Sequence, residues 1–158
     1  MRTLIVYASK TGTTENCARK LQLKLRNTTV IDITEQKVDL SPFDTVIIGS
    51  PIRMGKINKQ LKKFLIKHKA QLKNKKTAYF ICCAFTENYE RYFKENIPQE
   101  LLNSAITYNT FGGEMDVNKQ KGIDRFIVNM LNNAGEGKKE VKIINENIEA
   151  FVKRINQS

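Results

Sequence analysis

The sequence predicts an α/β domain in which one parallel sheet carries helices on both faces. Three observations predict it. Apolar β-type runs alternate with amphipathic helical stretches along the chain. Four of the five strand runs are nearly unbroken in apolar residues, as strands covered on both faces are. Between the first strand and the first helix lies a loop dense in hydroxyls around one glycine. At 158 residues the chain suits a single domain, 1–158, able to bury a full core without staples.

The elements follow in order. Leu4 to Ala8 is an apolar strand run that turns polar through Ser9, Lys10, Thr11, Gly12, Thr13 and Thr14. A helix follows with Cys17, Ala18, Leu21 and Leu25 on one face and Arg19, Lys20, Gln22 and Lys24 on the other. Thr28 to Ile33 is a short β-branched strand with Asp32 pointing outward near its end. Ser41-Pro42 punctuates the next connection before Asp44 to Gly49, a buried strand that runs into Ser50-Pro51-Ile52-Arg53-Met54-Gly55. A second helix, 57–69, turns Ile57, Leu61, Phe64 and Leu65 inward and Lys59, Lys62, Lys63 and Lys67 outward. Lys76 to Phe85 holds a third apolar run, and Tyr89, Tyr92, Phe93 and Ile97 keep helical spacing up to Pro98. Ala105 to Phe111 reads as the fifth strand, ending at Gly112-Gly113. A helix over Gly122–Ala134 and a last one capped by Asn145, with Ile148, Phe151, Val152 and Ile155 inward, complete the pattern.

Composition narrows the function classes. No apolar run reaches the ~20 residues of a membrane span, and the first strand begins with no signal-peptide pattern ahead of it, so a cytoplasmic location is expected. One histidine, His68, and three cysteines without CxxC spacing disfavour a metal site or a disulfide framework. Cys82 and Cys83, adjacent on a strand, point to opposite faces and read as packing residues rather than a redox pair. The charge is +11, from 27 Lys+Arg against 16 Asp+Glu. Nucleic acid, anionic lipid and a polyanionic small molecule are all admitted by that balance, as is a surface that is simply lysine-rich. No nucleic-acid motif or aromatic–basic platform accompanies the charge, so no nucleic acid is expected.

In open α/β sheets ligands lie beyond the carboxyl ends of the strands, where strand order reverses. Ser9–Thr14, Ser50–Gly55 and Cys83–Thr86 all end there. The first suits a phosphate, because the first-turn N–H groups of a helix and its dipole favour an anion, and Gly12 lets the backbone approach. It is neither the GxxxxGK[ST] P-loop nor the GxGxxG fingerprint. The other two segments suit walls around a flat ring.

YASKTGTT, followed by GSPIRMGK and YFICCAF, resembles the flavodoxin fold with its FMN site. IGSPIRMGKINKQLKKFLIKHKAQL, FGGEMD, the GIDRF helix and the final KKEV…NIEAFVKRI further resemble the menaquinone-dependent protoporphyrinogen IX dehydrogenase family, over nearly the whole chain. The resemblance implies a flavodoxin-like three-layer sandwich with a five-stranded parallel sheet. It implies FMN, its phosphate on Ser9, Thr11, Gly12, Thr13 and Thr14, and its ring flanked by Pro51, Ile52, Arg53, Met54 and Gly55 and by Cys83, Ala84, Phe85 and Thr86. Gly112 and Gly113 are expected close to the ring. With no Trp in the chain, stacking falls to Phe85, Met54 or backbone.

Arg53 is the expected catalytic residue, its charge near the flavin's N1–O2 edge stabilising the anion of reduced FMN. The competing role is a rim ion pair worth ~0–1 kcal/mol. Asp124-Arg125 reads as a substrate or partner contact or as a solvated helix face. The expected activity is oxidation of protoporphyrinogen IX with a quinone or a redox protein as acceptor. The lysines of 57–69 would then favour propionates or an anionic membrane at the inner face of the cell. The alternative is a flavodoxin-type electron carrier without a small-molecule substrate.

Overall fold

A computed structural model describes residues 1–113 and 142–158. The FGGEMD stretch beyond Gly113, Asp124-Arg125 and the Gly122–Ala134 helix expected from the sequence lie outside the described residues. Five strands, β1 (Thr3–Tyr7), β2 (Thr28–Asp32), β3 (Thr45–Pro51), β4 (Lys76–Cys82) and β5 (Thr107–Thr110), form one sheet in the order β2-β1-β3-β4-β5. Every pairing is parallel, with Ile5 opposite Val30 and Ile47, and Phe80 opposite Gly49 and Asn109. The sheet expected from the apolar runs is therefore present, with strand order reversing between β1 and β3.

Alternation along the central strands divides the core in two. Leu4, Val6, Val46, Ile48, Tyr79 and Ile81 face one way, beneath α2 (Lys59–Lys67), α3 (Lys69–Lys73), α4 (Tyr89–Asn96) and α5 (Gln99–Ser104). Ile5, Tyr7, Ile47, Ala78 and Phe80 face the other way, beneath α1 (Thr13–Lys24) and the final helix α6 (Asn145–Asn156). Ile148, Phe151, Val152 and Ile155 form the buried stripe of α6, as their spacing predicts. Fully burying a side chain of this kind is worth roughly 1.5–3 kcal/mol, so this stripe holds a short helix that would be marginal alone.

One glycine shapes this second core. The Phe80 ring lies directly over Gly49, where an ideal Cβ would sit 2.0 Å from Cζ. From there the ring stacks on Phe111 at 4.8 Å between centroids, and Phe111 meets Phe151 edge-on at 5.2 Å. Any side chain at position 49 would displace this aromatic layer.

Three boundaries differ from the sequence expectation. The basic segment 57–69 is two helices, because α2 stops at Lys67 and α3 starts at Lys69 on the far side of His68. The strand run expected to Phe85 ends at Cys82, where the backbone leaves the ladder for the loop that forms part of the site. α5, between Pro98 and β5, has too few turns to show a helical period in the sequence.

Candidate functional site

The carboxyl ends of β1, β3 and β4 converge on one edge of the sheet, and Ser9–Thr14, Ser50–Gly55 and Cys83–Thr86 lie there. The β1–α1 loop turns on Gly12, which has φ 93° and caps α1 with its carbonyl accepting from Asn16 N at 2.9 Å. A Cβ there would meet nothing within 4 Å, so the glycine answers to backbone conformation and leaves open space in front of the helix. Among the described residues no side-chain cap bond is made at Gly12. Ser9 folds back instead, its Oγ accepting from Gly12 N at 3.0 Å. Thr14 is buried in the first turn of α1. Of the hydroxyls expected here, Thr11 and Thr13 are half-buried.

The second wall is a tight turn. Arg53 and Lys56 exchange backbone hydrogen bonds of 3.0 Å in both directions, with Met54 at φ 53° and Gly55 at φ 75° between them. Two positive φ values make this the type I′ geometry, for which Gly55 is well suited and Met54 is not. The unusual methionine is held from outside. Asn96, buried at the end of α4, accepts from Ile57 N at 3.1 Å and donates to Gly55 O at 2.9 Å and to Tyr92 O at 2.8 Å. Ser50 closes the base of the same loop, its Oγ accepting from Asn58 N at 2.9 Å. Pro51 and Ile52 continue β3, and Ile52 N donates to Cys82 O at 2.9 Å.

Arg53 is half-buried on this turn. Burial pulls its guanidinium pKa down from the ordinary value, yet a group that starts so high stays cationic at physiological pH. The site therefore presents a fixed positive charge on a braced loop.

The third wall follows β4. Cys83 N donates to Gly112 O at 2.9 Å, and its Sγ lies 3.4 Å from Thr110 Oγ1 and 3.7 Å from Phe85 O. Burial pushes the Cys83 thiol up, partly offset by Thr110, which leaves it a packing group. Cys82 faces the opposite core, 3.8 Å from Cys17 Sγ, with its pKa raised by that thiol and by burial. All three cysteines are free thiols. Ala84 and Thr86 are half-buried, while Phe85 and Met54 keep 42% and 76% of their surface exposed. The two apolar side chains expected near a ring thus stand open at this edge.

Gly112 is required by close backbone packing. Gly112 has φ 72°, and a Cβ there would come within 2.2 Å of Lys142 O. The segment before α6 crosses here, with Ile144 N donating to Phe111 O at 2.9 Å. Both Gly112 and Gly113 are buried beneath it.

Asn96 was not among the candidates, although a signal was present. In α4 it shares the inward face with Tyr92 and Phe93, and an amide on an apolar stripe is usually tied to a specific partner. Its partner lies 41 residues away, which no local pattern reveals.

No curated protein sequence gives a significant match, whereas solved structures share this architecture. Oxidised flavodoxin 1 from Bacillus cereus superposes with a TM-score of 0.56 at 16% identity, covering 99% of this chain and 98% of that one. A flavoprotein from Lactobacillus acidophilus in complex with FMN gives 0.53 at 20%, covering 69% and 92%. Two-electron reduced Megasphaera elsdenii flavodoxin gives 0.50 at 17%, covering 68% and 84%. At such identities these likenesses establish the fold. The profile of one family, described as a flavodoxin domain, matches residues 4–142, most of the sequence, and the chain belongs to the flavodoxin domain family.

Proposed function

We propose that this chain binds one FMN at the carboxyl edge of its sheet and works as an FMN-dependent oxidoreductase. The observation that carries the reading is the pairing of two built features on that edge. α1 begins at a left-handed glycine with open space before it and, among the described residues, no side-chain cap, and the braced Arg53 turn follows the neighbouring strand across the switch point. The residues present fit the group. Backbone N–H groups at Thr13 and Thr14 and the hydroxyls of Thr11 and Thr13 would hold the phosphate, and the exposed faces of Met54 and Phe85 would cover the ring. When bound, FMN supplies the electron-accepting and electron-donating centre. Arg53 holds positive charge beside it, and Asn96 keeps that charge in place.

The substrate we propose is protoporphyrinogen IX or a close relative, with a quinone or redox protein as acceptor. Support comes from the resemblance of the IRMG sequence and of the GIDRF sequence within Gly122–Ala134 to the porphyrinogen-oxidising family. A second reading, an electron carrier without a small-molecule substrate, is favoured by the connection after Phe85. That connection folds at once into a single 3-10 turn (Thr86–Asn88) and then α4 and α5, whose Tyr92, Phe93, Leu101 and Leu102 enter the core. From these residues no long loop is left to cover a substrate.

The test is anaerobic stopped-flow reduction of the FMN-loaded protein by protoporphyrinogen IX. Rapid bleaching of the flavin, slowed about tenfold or more in Arg53→Ala, each tenfold being ~1.4 kcal/mol of barrier, is expected. FMN content of the variant should survive. No reduction by porphyrinogen, with fast exchange between this protein and a flavin reductase, moves the assignment to the carrier.

A further inference from the structure

Between Asp44 and Glu87 the chain carries no acidic residue, while Lys and Arg occupy ten positions. The fold gathers part of this segment onto one face. Lys62, Ile66, Lys59, Lys63 and Lys67 follow one another around the outer side of α2, and Leu61, Phe64 and Leu65 occupy the side turned to the sheet. Ile66 lies bare among the lysines, 65% exposed. Among the described residues, Lys69 and Lys73 share Glu100 as ion-pair partner at 3.1 and 3.0 Å. By contrast, among the described residues no ion pair or side-chain hydrogen bond engages Lys59, Lys62, Lys63 or Lys67. α2 also starts at the site, since Asn58, its cap, donates its N–H to Ser50 at the end of β3.

We infer that the outer face of α2 docks an acidic redox protein, with Ile66 as the apolar centre and the four lysines as its charged ring. This rests on the FMN-binding redox reading above, and names the partner surface for either form of it. Charge complementarity selects an acidic occupant, and the disposition of apolar surface selects protein over lipid. A helix that lies in a bilayer interface spends its apolar face on the lipid. The apolar face of α2 is already spent on the core, which leaves a single isoleucine and attraction confined to a Debye length of about 8 Å. A protein partner can match both the ring and its centre. The first turn of α2 adjoins the Arg53 loop, so a partner seated there reaches the flavin edge.

The experiment measures binding of a strongly acidic [2Fe–2S] ferredoxin, used as the probe, by surface plasmon resonance. Because docking needs no flavin, apo and FMN-loaded protein are both measured, and flavin absorbance reports separately whether the FMN reading stands. Association of the unmodified protein should weaken about tenfold or more between about 50 and about 500 mM salt. Lys59→Glu/Lys63→Glu/Lys67→Glu should lose it at least as strongly at low salt. Lys69→Ala/Lys73→Ala, which lowers net charge elsewhere, should bind as the parent does, and Ile66→Ser should weaken binding without altering the salt slope. No association at low salt, or equal association of parent and charge-reversed protein, overturns the inference. So does co-sedimentation with phosphatidylserine vesicles or retention of RNA that the α2 charge reversal abolishes while ferredoxin binding is untouched.

Discussion

Two helices begin on the same edge of the sheet, one on each side of the strand switch, and their beginnings are built in opposite ways. α2 is closed by its own chain. Asn58 Oδ1 accepts from Gln60 N at 2.8 Å and Leu61 N at 3.3 Å, and Asn96 secures the turn before it. α1 starts on Gly12 with no side-chain cap among the described residues, and Ser9 spends its hydroxyl one step earlier, on Gly12 N. Helix N-termini attract anions because their first N–H groups lack partners in the helix. Where a side chain supplies the oxygen, the terminus is structural. Where none does, solvent or a bound anion can supply it, and our proposal puts the phosphate at α1.

This contrast can be broken in three places. The largest effect is expected on the braced side. Asn96→Ala should lower unfolding stability by about 3 kcal/mol, since it strands Ile57 N–H and Gly55 C=O in a buried setting. Urea unfolding should show a lower midpoint at unchanged slope. Because our proposal sets the turn against the ring and not the phosphate, FMN and riboflavin should lose affinity equally. A loss confined to FMN would mean that the turn serves the phosphate after all.

The opposite pattern is expected at Gly12. Valine there is forced into a left-handed backbone and should weaken FMN by about a hundredfold, ~2.7 kcal/mol, while riboflavin, lacking the phosphate, binds nearly as before. Titrations with both flavins, followed by quenching of flavin fluorescence, decide it, and equal losses would show that α1 does not hold the phosphate. The smallest effect belongs to the cap of α2. Asn58→Ala should cost about 1 kcal/mol of stability and leave both flavin affinities alone. A specific fall in FMN affinity would erase the distinction between the two termini.

Local pattern carried most of the architecture. The buried stripe of α6, the end of α4 before Pro98 and the apolar central strands follow from residue type and spacing, because helical and extended backbones repeat at fixed periods. Gly12 was legible for a similar reason, as a lone glycine among hydroxyls where a strand gives way to a helix. The burial of Thr14 was not legible in the sequence. Sequence sets neighbouring residues on the loop but not the direction in which each side chain leaves it.

The sequence by itself determined the five-strand α/β alternation, the glycine at the start of α1, the packing role of the paired cysteines and the basic outer face of α2. Each rests on interactions within one element or on charge that no fold can remove. Tertiary structure alone decided the left-handed methionine at 54, the burial of Gly112 under Lys142 and the amide that reaches from α4 to the Arg53 turn. These join parts of the chain far apart in sequence, and the cost of an awkward backbone is offset only once the distant partner has arrived.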